Sequence, residues 1–199
     1  MKIYRTLFLA SCTLLAFSTA RATTVVPPTF DELVGQAELI FQGTVTEVKS
    51  QWTGEGGERH IVSYVTFKVE DAVKGDPGAN YTMRMLGGTV DGTTMEVTDT
   101  PKFKVGEREI VFVEHNGTQF IPLVGIMHGR FQVKQDSARG TEVVLTNSGR
   151  AVTNLAQLGK EDSHAHATGN RARAETDGQS LDTNSFKSAI RAKLTQSQK

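Results

Sequence analysis

The chain has one thiol, Cys12, so no internal disulfide can brace it and its core must hold by packing. It lacks a G-x-S-x-G nucleophile elbow and the lysine-bearing glycine loop that cradles phosphates. Lys+Arg and Asp+Glu balance at 22 each, which leaves no basic footprint for nucleic acid or an anionic membrane. No stretch is apolar for the roughly 20 residues that a membrane-spanning helix takes. These absences set aside redox-thiol, serine-hydrolase, P-loop and nucleic-acid chemistry and leave binding as the first expectation.

What is present begins at the N-terminus. Lys2 and Arg5 precede an uncharged run, Thr6 to Phe17, which ends in Ser18-Thr19-Ala20-Arg21-Ala22 with Ala20 and Ala22 in an A-x-A frame. That order predicts a cleavable export signal over 1–22, cut between Ala22 and Thr23, and a mature protein that is periplasmic or secreted. Leu9-Ala10-Ser11-Cys12 imitates a lipid-attachment box, but Cys12 sits inside the apolar run, which disfavours that route. Cleavage removes Lys2, Arg5, Arg21 and the cysteine, leaving 19 basic against 22 acidic residues, about −3 in charge.

The rest divides into three segments. Residues 23–158 read as one mainly β domain. Thr29-Phe30-Asp31-Glu32 is a capping box that starts a short helix with Phe30, Leu33, Val34 and Ala37 on one stripe. From Leu39 the apolar period becomes two: Phe41, Gly43 and Val45 face one way, Val48 falls out of phase, and a glycine with a phase slip predicts a bulge or sharp bend. Ile61–Val69 and Tyr81–Met85 alternate as further strands, and Met95 and Val97 suit a short one. Glu109–Glu114 (EIVFVE) is apolar on both faces, as a central strand is. Phe120–Leu123, Arg130–Lys134 and Glu142–Leu145 suit short strands. Short strands with a bent first member predict a small antiparallel OB-like barrel, with a two-sheet sandwich as the alternative.

Residues 159–180 contain no Val, Ile, Leu, Met or aromatic residue and read as a disordered linker. Over 181–199, Asp182 is a good N-cap and Phe186, Ile190 and Leu194 repeat every four residues, predicting a short amphipathic helix. Docking on its own domain is favoured over docking on a partner or a membrane surface.

The sequence of a short helix, Ala37-Glu38-Leu39-Ile40, Gly43-Thr44-Val45, Val65-Thr66-Phe67-Lys68-Val69 and Val73-Lys74-Gly75 resembles the netrin-like OB-fold domain of tissue inhibitors of metalloproteinases. It is similar also to exported bacterial proteins that carry a Gly-Gly loop, here Gly87-Gly88, and an F-x-V-G-E lead-in to the central strand, here Phe103-Lys104-Val105-Gly106-Glu107. The likeness covers about residues 29–135 and implies an OB barrel and a protein partner, a secreted metalloprotease among them. Those inhibitors act through an N-terminal cysteine clamped by disulfides. A mature chain starting at Thr23 has no cysteine, so that mechanism transfers to no residue here.

No metal or cofactor site is expected. His164 and His166 can capture a metal weakly beside Glu161 and Asp162, but a built site needs three or four ligands, and a solvated polar tract is the simpler reading. His60, His115 and His128 show no metal spacing. Glu70-Asp71, Asp91, Glu96 and Asp99 read as solvated strand-end or loop charges, and Ser148 as part of a turn. For partner binding the candidates are Thr23, the lone Trp52 before a flexible loop, Gly87, Gly88 and His128. The expected function is an exported, non-catalytic module that binds a protein. The runner-up is a cell-envelope adaptor anchored through its C-terminal helix.

Overall fold

The computed structural model of the protein describes residues 26–98, 100–160 and 179–197. The expected export signal with its Ala22–Thr23 junction, Asp99, His164, His166 and nearly all of the expected linker lie outside the described residues.

The capping box forms as expected: the Thr29 amide donates to Glu32 Oε2 at 2.7 Å, and the Thr29 hydroxyl accepts from the Glu32 amide at 3.3 Å. It starts helix α1, Phe30–Gln36, which buries Leu33 and Val34. The strands follow as β1, Leu39–Thr53; β2, His60–Lys74; β3, Asn80–Leu86; β4, Gly88–Val90; β5, Thr93–Met95; β6, Arg108–Val113; β7, Arg130–Asp136; and β8, Thr141–Thr146. A last helix, α2, spans Thr183–Ser197. Six strands make one antiparallel sheet in the order β3-β2-β1-β6-β7-β8, and β4 pairs with β5 apart from it.

The central strand is the two-faced one. Ile110 and Phe112 of β6 join α1 and α2 in one core with Leu33, Ile40, Phe131 and Phe186. Val111 and Val113 point the other way, into a core of Phe41, Val65, Phe67, Met83 and Phe103. Ile40 and Phe41, consecutive in β1, are fully buried in opposite cores. Of the bulge or bend predicted at Gly43 the bulge is present, since the β1–β2 register shifts between Gln42 and Gly43 and again between Val45 and Glu47. A Cβ on Gly43 would stand 2.7 Å from the Lys68 carbonyl oxygen, closer than contact permits. Gly43→Ala should therefore cost about 1–3 kcal/mol through forced movement of β2, read as a lower urea midpoint with an unchanged slope.

The barrel expectation is corrected: the sheet stays open. Near residues of β1 pair with both β2 and β6, from Ile40 to Thr44, but its far half pairs with β2 alone. Closure is not needed because both sheet edges find other partners. At β3, Asn116 accepts from the Arg84 amide and donates to the Thr82 carbonyl, while the Leu86 amide donates to Phe120. At β8, the Val144 amide donates to Leu181, and the Val152 amide to Val144. The strand expected over Phe120–Leu123 reduces to one bridge, Val113 with Leu123, and Phe120 is 70% exposed.

Helix α2 docks on its own chain. Asp182 caps it, accepting from the Ser185 amide at 2.9 Å. Phe186 and Ile190 are fully buried, with the Phe186 ring 5.0 Å from that of Phe131. The apolar stripe on which a helix-anchored adaptor depends is thus occupied within the fold. No helix among the described residues is long and apolar enough to cross a membrane.

Candidate binding cleft

Gly87 and Gly88 turn the chain from the end of β3 into β4. Their φ angles are +97° and +141°, which L side chains rarely adopt. A Cβ on Gly88 would lie 2.3 Å from Ser63 Oγ and 2.4 Å from Ser50 Oγ, so only glycine lets the backbone press onto those hydroxyls. The Gly87 amide donates to the Ile61 carbonyl at 2.8 Å. The Ser63 hydroxyl donates to the Gly87 carbonyl at 2.6 Å and lies 2.9 Å from that of Ser50. The hairpin of β4 and β5 is held further by the Ile61 amide, which donates to Met95 Sδ at 3.4 Å.

Between this hairpin, the far half of β1, the first half of β2 and residues 96–103 lies a cleft of about 320 Å³. Its lining includes the buried Val65, Met85 and Phe103, the hydroxyls of Ser50 and Ser63, and Val48, which is 39% exposed. Phe103 is fixed from two sides: the Phe67 ring meets it edge-on at 5.5 Å, and the Arg130 guanidinium sits 4.7 Å from its centroid. The F-x-V-G-E segment thereby acquires a structural meaning. Gly106, at φ +89°, donates to the Val45 carbonyl. Glu107 accepts from the Lys104 amide at 2.9 Å and from Arg130 at 3.1 Å.

Next to the Phe103 ring is a buried ion group that sequence reading missed. Arg130 donates to Glu109 at 2.7 Å, to Glu107, and to Asn147 Oδ1 at 3.1 Å. Burial pushes the Glu109 carboxyl up to about 6, against the opposing pull of Arg130. Among the described residues Glu109 Oε2 and Arg130 Nε find no hydrogen-bond partner.

Among the described residues the ionisable ones lining the cleft are Glu96 and Lys102, an exposed pair whose attraction is screened by solvent. Among the described residues neither serine bonds a basic side chain, and the Ser63 proton is committed to a carbonyl. This arrangement suits an apolar group met by a few hydroxyls.

Of the residues singled out in the sequence, Gly87 and Gly88 line this cleft. Trp52 does not; its ring is covered by the Arg59 guanidinium at 4.3 Å, near the end of β1. His128 lies beside Gly125, which also touches Pro28, and burial lowers its pKa so that it is neutral near pH 7. His60 bonds the Glu58 carbonyl through Nδ1, and His115 faces Glu38, Glu114 and Gln119. Among the described residues no three His, Cys, Asp or Glu side chains gather as metal ligands. Compared with known proteins, the chain matches no family model, no curated protein and no solved structure.

Proposed function

We propose that this is an exported binding module that acts without catalysis and takes an apolar side chain of a protein partner into the cleft over Phe103. The observation that carries the reading is an apolar floor open to solvent, with large exposed hydrophobic residues around it. Val48 lines it, Val105 follows Phe103 by two residues and is 64% exposed, and the exposed Phe120 is bonded through its carbonyl to the amide of Leu86, another lining residue. Exposed apolar residues clustered around a cleft mark interaction sites more often than scattered ones do. The far half of β1 adds a second element. Among the described residues its edge away from β2 has no partner strand beyond Thr44 and no backbone bond beyond Val45, so an extended segment could add to it from Glu47 onward by backbone pairing. The resemblance to netrin-like domains makes a secreted protease the first partner to try.

Immobilised protein incubated with the exported proteins of its own cell should retain a partner that Val48→Asp, and separately Thr94→Trp, each reduce at least about tenfold, the loss of roughly 1.4 kcal/mol. Both positions are at the surface of the cleft, so melting temperatures should stay near that of the unmodified protein. Retention that is equal for all three proteins would place the partner elsewhere, and no retention by any would reject the reading.

A further inference from the structure

We propose that the side chain entering the cleft over Phe103 is a tyrosine of the partner, and that Ser50 selects it. This rests on the reading of that cleft given above and names the group that fills it.

The direction of two hydrogen bonds carries the inference. A carbonyl only accepts, so the 2.6 Å bond from Ser63 Oγ to the Gly87 carbonyl uses the single proton of that hydroxyl. Ser63 must then accept in its 2.9 Å bond with Ser50, and Ser50 is the donor there. Both hydroxyl protons are spent inside the fold. Ser50, half-buried in the cleft lining, has only lone-pair capacity left to offer. The order is locked by the backbone, because the Gly87 amide is itself bonded to the Ile61 carbonyl. Other polar side chains of the lining are engaged already: Thr89 pairs with Thr94 at 2.9 Å, Thr100 donates to the Val97 carbonyl, and Lys102 pairs with Glu96. The electrostatic complement of the serine end is therefore a donor.

The apolar lining decides what carries that donor. Phe103 and the thioethers of Met85 and Met95 favour a second ring, through edge-to-face and sulfur–aromatic contact. An aromatic side chain with a donor is tyrosine or tryptophan. Tyrosine is the smaller, and about 320 Å³ is near the lower end of small-molecule sites. A phenylalanine would displace water from Ser50 and give its lone pair nothing in return.

The test is titration of the full-length ¹⁵N-labelled protein, followed by NMR, with N-acetyl-tyrosinamide, its phenylalanine and tryptophan counterparts, and the tyrosine compound methylated at the phenol oxygen. The amides of Gly87, Gly88 and Met95 report occupancy. The tyrosine compound should bind about three- to tenfold tighter than the phenylalanine one, the reverse of the order that hydrophobicity alone sets, and methylation should abolish the gain. Ser50→Ala keeps Cβ and leaves the Ser63–Gly87 bond in place, so it should fold. It should bring the tyrosine compound down to the level of phenylalanine, whose own Kd stays unchanged. The proposal is overturned, with the apolar cleft still standing, if phenylalanine binds as well as tyrosine, if tryptophan binds tighter, or if Ser50→Ala weakens both compounds equally. If none of the compounds shifts these amides saturably, the reading of the cleft falls with it.

Discussion

Phe186→Ala should lower the free energy of unfolding by about 3–5 kcal/mol, the cost of deleting a fully buried phenyl ring, in a domain whose whole stability is on the order of 5–15 kcal/mol. The ring lies 5.0 Å from Phe131, 6.2 Å from Phe30 and 6.4 Å from Phe112, so three separate elements lose contact at once. Urea unfolding monitored by circular dichroism should show the midpoint fall with little change in slope. Removing residues 181–199 should do more. It would uncover Leu33, Phe112 and Phe131 and also free the backbone of β8 and its neighbour, where Val144 donates to Leu181 and Leu181 to Val152. A shortened protein that melts at the temperature of the intact one would falsify this placement of the helix.

Arg130→Met should cost about 3–5 kcal/mol near neutral pH, because it leaves the carboxylate of Glu109 buried without its cation. Glu109 is wholly inaccessible and receives its bond from Arg130 at 2.7 Å. The pH dependence carries a definite sign. In the intact protein Glu109 titrates at about 6 when folded, against an ordinary value of 4.5. The folded state therefore holds this proton more tightly, and the contribution to stability is full below pH 4.5 and falls as pH rises through 6, by about 2 kcal/mol. Glu109→Gln should flatten that part of the profile while leaving Arg130 an acceptor. In Arg130→Met the destabilisation should shrink toward pH 5, as Glu109 becomes neutral. Glu70 and Asp71 work in the opposite sense. Burial alone would raise them, but Arg108 with Thr44 and Gln42, and Lys187 with Arg191, outweigh it and hold both carboxyls low. Their contribution is present above the ordinary carboxylate range and is lost as pH falls below it. Denaturation followed at pH 3, 5 and 8 separates the two effects.

The parts of this fold legible in the sequence are those written in local pattern. The apolar run from Ile110 to Val113 marked the strand that divides the two cores, Thr29 and Glu32 marked the start of α1, and the phase slip after Gly43 marked the bulge in β1. What was not legible depends on residues far apart in the chain. Nothing periodic announces that the Asn116 side chain will satisfy the edge of β3, or that residues near Ala151 and Leu181 will line β8, and without those covers a closed barrel is the natural expectation. The Gly87–Gly88 pair was visible, but its cleft needs Phe103, and Phe103 needs Phe67 and Arg130 to hold it. Glu109 illustrates the limit best. It opens the run EIVFVE as Glu114 closes it, with nothing in the pattern to tell the two apart, yet pairing of β6 with β7 places it beside Arg130 out of water. The buried bond from Lys187 to Gln42 was invisible for the same reason, since it spans most of the chain.

The position of α2 sets an order for biosynthesis. Synthesis runs from the N-terminus, so every strand is made before the helix that completes the first core. Until Phe186 and Ile190 emerge, Leu33, Phe112 and Phe131 have no lid, and the polar seam of Gln42 and Asp71 has no cations to meet. The nascent chain is held short of its native state by missing parts, whatever the speed of its hairpins. A truncated or clipped product would keep most of its strands while displaying a greasy furrow, a form that chaperones and proteases readily distinguish from the finished article.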